Sequence, residues 1–129
     1  MKVKLFLFFF LVVNLFQCDY KDIQPKCYHG TVIMSSCCTG STFISLDSSI
    51  PIGKQMKWGE KEYANVIQVP NYLNVTGDIY LTLRPFDRDK DQSLFPPIQC
   101  YCFVVVGMDV PIYVATSYSS QPCNNSTYF

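Results

Sequence analysis

At 129 residues the chain has the size of one small domain and is too short for a multidomain enzyme. Hydrophobic residues make up 49% and charged residues 16%, a balance that excludes intrinsic disorder and a coiled coil. Ten Lys+Arg face ten Asp+Glu, which leaves no basic excess for a nucleic-acid groove.

Met1-Lys2-Val3-Lys4 places two positive charges ahead of an unbroken apolar run, Leu5 to Val13. A charged start, an apolar run of about 7–15 residues and a polar break form a secretory signal peptide. The run falls short of the roughly 20 apolar residues that span a bilayer. Residues 1–18 are therefore expected to be removed near Cys18, leaving residues 19–129 as a single domain. Cleavage takes Lys2 and Lys4 with it, so eight basic side chains then face ten acidic ones. No second long apolar segment follows, so the mature chain is expected to be off the membrane, secreted or retained in the endoplasmic reticulum lumen. If Cys18 stays, the cysteine number is odd and a disulfide-linked dimer through Cys18 is expected.

From residue 19 onward no window shows apolar residues at helical spacing. Short β-rich runs separated by turn residues predict strands at Thr31–Ser35, Thr42–Leu46, Asn65–Val69, Asp78–Leu83, Cys100–Val106 and Val110–Tyr118. In the fourth run Ile79, Leu81 and Leu83 share one face and Tyr80 and Thr82 the other. The last two runs, joined by Gly107-Met108-Asp109, read as a hairpin. Pro111 cannot donate to a ladder, so its nitrogen must face away from the partner strand or sit at its margin. Six or seven short strands predict an all-β fold, a small disulfide-bridged immunoglobulin-like β-sandwich.

Without Cys18, six cysteines remain: Cys27, Cys37, Cys38, Cys100, Cys102 and Cys123. Adjacent Cys37 and Cys38 diverge in an extended chain, and Cys100 and Cys102 lie on one face of an apparent strand. Joining the early three to the late three leaves six schemes of the fifteen complete pairings. A zinc site built from Cys27, His29, Cys37 and Cys38 has neither the spacing nor the reducing compartment that such sites use. No metal and no cofactor is expected. Three acceptor triplets for N-glycosylation, at Asn74, Asn124 and Asn125, agree with export, and Asn74 lies in a predicted surface turn.

Arg84 to Ile98 lacks strand character, and a stretch of that length inside a small domain marks an exposed, functional loop. Its Asp87-Arg88-Asp89-Lys90-Asp91-Gln92 run lacks the glycine and the glutamate of a calcium loop and reads as a solvated turn of balanced charge. His29 is the sole histidine, so any acid–base or nucleophilic arrangement would have to use it. No phosphate loop or nucleophile elbow is present, and the chain is not expected to be an enzyme. Nineteen Tyr and Phe residues imply aromatic anchors at the surface, the usual core of protein interfaces.

Cys27-Tyr28-His29-Gly30-Thr31-Val32-Ile33-Met34, followed by Cys38-Thr39-Gly40-Ser41-Thr42-Phe43, resembles the start of the coronavirus accessory proteins with an immunoglobulin-like luminal domain. The resemblance covers roughly residues 19–46. It implies disulfide roles for Cys27 and Cys38 and a sandwich of about seven strands that engages host proteins and blunts immune responses. The sequence thus reads as a secreted glycoprotein binding module whose partner is a protein, of the host immune or adhesion class. The alternative is a structural or carbohydrate-contacting ectodomain, and a small hydrolase or inhibitor ranks behind both.

Overall fold

The computed structural model describes residues 26–47, 51–70, 73–97, 100–101 and 109–123. Six strands form one antiparallel sheet: β1 (Cys27–Ser36), β2 (Ser41–Leu46), β3 (Lys54–Trp58), β4 (Lys61–Pro70), β5 (Asp78–Pro85) and β6 (Tyr113–Ser119). Their order across the sheet is β3-β4-β2-β1-β5-β6. The all-β, disulfide-bridged class read from the sequence is the observed one.

β1 and β2 form a hairpin in which Ser36 pairs with Ser41 and Gly30 with Leu46. β4 lies on the other side of β2, with Ile44 opposite Ile67, and β5 lies on the other side of β1, with Gly30 opposite Ile79. The ladder does not run out flat. Gln68 of β4 bridges in parallel to Ile112, just ahead of β6, and its N–H donates to the Pro111 carbonyl at 3.0 Å. The far end of the sheet is thus carried back to β4, and the main apolar cluster draws on β2, β4, β5 and β6 together. Pro111 sits at the margin of the ladder and accepts where it cannot donate.

Alternation decides what is enclosed. Ile44 and Leu46 from β2, Ile67 and Val69 from β4, and Ile79 and Leu81 from β5 are at most 4% exposed and pack together. Leu83 packs against this cluster, while Tyr80 stacks on His29 and Thr82 bonds to Thr116 and Ser117 on β6. The two faces of β5 are those read from its sequence. β2 and the second half of β4, Val66 to Pro70, are buried on both faces, because Phe43, Met56, Val66 and Val110 make a second cluster on the opposite side of the sheet. Gly30 is buried where β1, β2 and β5 meet. A Cβ there would lie 2.7 Å from the Ser45 carbonyl oxygen and 2.9 Å from Ile44, closer than packed atoms tolerate.

Three readings need correction. The strand β3 was not expected, since Lys-Gln-Met-Lys-Trp offers one buried side chain, Met56. The chain is not free of helix: α1 (Arg88–Asp91) and a 3₁₀ turn (Gln92–Leu94) lie in the 84–98 loop. Cys100 lies in a bend ahead of Tyr101 instead of opening a strand, and the rest of the Cys100–Val106 run lies outside the described residues. The signal segment, Cys18, Cys102, Asn124 and Asn125 also lie outside them.

Candidate functional site

Both bridges observed join an early cysteine to a late one. Cys27, the first residue of β1, is bonded to Cys123, 96 positions away. Cys37, in the β1–β2 turn, is bonded to Cys100, 63 positions away. Cys38 Sγ lies 3.6 Å from Cys100 Sγ, so the late chain near residue 100 is held against this turn. Cys37, Cys38 and Cys100 bring three sulfurs together. Two of those sulfurs are the oxidised Cys37–Cys100 pair, which has no thiolate to offer a metal.

Asn74 is exposed, between buried Leu73 and half-buried Val75, and Thr76 of its triplet is exposed as well. The acceptor and its hydroxyl partner therefore both face solvent on a segment pinned by apolar neighbours. His29 lies within β1, where its Nδ1 sits 2.5 Å from Asp47 Oδ2 and its ring packs on Tyr80 with centroids 4.6 Å apart. Those contacts make it a rim residue on the sheet surface.

The feature that departs most from the sequence reading is the 84–98 loop. The Asp87–Gln92 run is not a freely solvated turn, because Asp91 is buried at 5% exposure. Arg84, at the end of β5, donates through Nη1 to Asp91 Oδ2 at 2.6 Å and through Nη2 to Oδ1 at 2.7 Å. The Asp87 N–H donates to the same carboxylate at 2.8 Å. These donors, the Arg84 bonds first, hold the Asp91 carboxyl down at about 2 against an ordinary 3.8. Asp87 caps α1 by accepting from the Asp89 N–H at 3.0 Å. Phe86 and Phe95 meet edge to face, 5.5 Å between centroids, and close the base of the loop.

The β1–β2 turn meets the loop from the other side. Gly40 has φ +62°, and a Cβ there would sit 3.2 Å from the Pro96 carbonyl oxygen. Between these walls lies a cleft of about 660 Å³ with a floor of Phe86, Phe95, Pro96, Pro97 and Ile112. Its polar lining comes from Thr39, Arg88 and Gln92. A mixed lining of apolar and polar groups suits a ligand site, and this volume falls in the usual range. The cleft holds no histidine, cysteine or carboxylate, so among the described residues it has binding chemistry and no acid–base pair. Loop length and prolines pointed to this region, but nothing in the sequence pairs Arg84 with Asp91 or brings Ile112 beside Phe86.

The chain matches no family model, and no curated protein matches it in sequence.

Proposed function

We propose that the chain is an exported binding module whose partner is another protein, of the host immune or adhesion class. The observation that carries this reading is the cleft beside the 86–97 loop, aromatic and proline-lined and held in shape by an ion pair and a cap. Two long-range disulfides support an oxidising destination, because such bridges do not persist in a reducing cytosol. Among the described residues no helix is long and apolar enough to cross a membrane. The resemblance of residues 19–46 to the coronavirus accessory proteins supports a host protein as the partner, and exposed Asn74 supports a glycoprotein.

The test expresses the full chain in a secretory cell and passes the recovered protein over immobilised ectodomains of host immune and adhesion receptors. The expected result is export with cleavage near Cys18, a glycan on Asn74, and saturable binding to at least one ectodomain. Retention in the cytosol, or an exported monomer that binds none of the panel, overturns the reading.

A further inference from the structure

Two ion pairs take four of the charges around the 86–97 loop, and of the two left without an ion pair among the described residues, Arg88 and Asp89, Arg88 lines the cleft. Arg84 is taken by Asp91 in a two-pronged pair, and Lys90 lies 3.3 Å from Asp87. Arg88 lines the cleft, is exposed, and has no carboxylate within ion-pair distance among the described residues. The neighbouring Asp89, about 100° further round the turn, does not line the cleft. Gln92 stands four residues after Arg88, on the same side of the turn, and lines the cleft as well. A planar guanidinium and an amide thus flank one wall, and an apolar floor lies beside them.

Resting on the binding-module reading, we propose that this cleft takes an extended segment of a partner protein with an apolar side chain and one carboxylate close to it in sequence. The carboxylate accepts from Arg88, whose fork matches its two oxygens. The Gln92 amide has a donor and an acceptor for the peptide backbone of the segment. The apolar side chain lies over Phe86, Phe95 and Ile112. Aromatic surfaces suit an extended chain, and a wall that is already fixed adds no ordering cost of its own when the segment binds. The Arg84–Asp91 pair and the Asp87 cap fix that wall before any partner arrives.

Because the partner is unidentified, the probe is an array of synthetic octapeptides carrying one Leu or Phe and one Glu at varied spacing. A matched array has Gln, and another Lys, in place of the Glu. The disulfide-intact full chain is compared with Arg88→Glu and Gln92→Ala, both at exposed positions, each checked for an unchanged denaturation midpoint. The wild type is expected to retain Glu peptides about tenfold better than their Gln counterparts. Arg88→Glu should lose that preference and favour the Lys array, and Gln92→Ala should weaken all retained peptides without altering the choice of charge. Equal retention of the Glu, Gln and Lys arrays overturns the proposal, as does an Arg88→Glu variant with wild-type preference. A dimer that forms with rising concentration and is lost in Arg88→Glu also overturns it, in favour of a second copy of this chain. Receptor-panel binding that survives Arg88→Glu sinks this proposal while leaving the binding-module reading intact.

Discussion

Asp91 is kept ionised by the donors around it, and that ties the shape of the loop to pH. Its folded pKa lies near 2 and its ordinary value is 3.8, so the unfolded chain binds the proton first as pH falls. The contribution of Asp91 to stability is therefore fully present above about pH 4 and is lost as the pH drops toward 2. Urea midpoints of wild type and Asp91→Asn, taken at pH 7, 4 and 2, should differ most at pH 7 and converge at pH 2. A constant difference across that range would mean that Asp91 acts through packing alone. Gly30 is the second position at which a few atoms decide. Gly30→Ala puts a methyl 2.7 Å from the Ser45 carbonyl oxygen, and overpacking there should cost about 1–3 kcal/mol in equilibrium unfolding. A neutral substitution would show that β1 and β2 can separate without loss.

Among the elements, the β3–β4 hairpin separates burial from mere presence. Trp58 pairs with Lys61 across the two-residue turn Gly59-Glu60, and Met56 pairs with Tyr63. Met56 and Trp58 lie two apart and so share a face, but Met56 is 7% exposed and Trp58 42%. Met56→Ala should cost about 2–5 kcal/mol, since it removes a member of the Phe43–Val66–Val110 cluster. Trp58→Ala should shift stability by less, near the ±0.5 kcal/mol of ordinary surface changes, although it is the larger deletion. Thermal unfolding of the two variants side by side checks this order, and the reverse order would mean that the hairpin tip is held by its tryptophan.

The same hairpin shows where sequence patterning stops. β1, β2, β4 and β5 were legible because β-branched and aromatic residues at two-residue spacing face a core, and each came out longer than its apolar run. β3 was hidden because an edge strand needs little apolar content, and Lys54 and Lys57 are the kind of charges that keep such an edge from pairing further. α1 was hidden because four residues are too few to display a helical period. Its stability comes from the local Asp87 cap and from Arg84, whose contact with Asp91 four residues of helix cannot announce. The cleft was legible only as a proline-rich loop of unusual length. Its other wall, at Thr39 and Ile112, is brought in by the disulfide at Cys37 and by the return of the chain to β4.

On the scale of the whole molecule, the two bridges staple two late segments of the chain to one early hairpin. Cys27–Cys123 fixes the segment after β6 to the start of β1, and Cys37–Cys100 fixes the approach to the last strand to the β1–β2 turn. Loops of 96 and 63 positions are long enough that each bridge should contribute about 4–5 kcal/mol in the chain-entropy account. For a domain of this size that is a large share of the total. Cys27→Ser should therefore lower the yield of exported protein sharply and hasten its proteolysis, and export at the wild-type level would contradict that weight. With two early-to-late pairs assigned, the pairing rule read from the sequence leaves Cys38 with Cys102 as the third pair.

The measurement that bears most directly on this account is mass spectrometry of protease-digested, non-reduced protein recovered from the medium of a secretory cell. It should yield peptides joined through Cys27–Cys123 and Cys37–Cys100, a third linkage between Cys38 and Cys102, and an N-terminus near residue 19. A local linkage such as Cys27 to Cys38, or Cys37 to Cys38, would contradict the long-range stapling of the sheet and the cleft that depends on it.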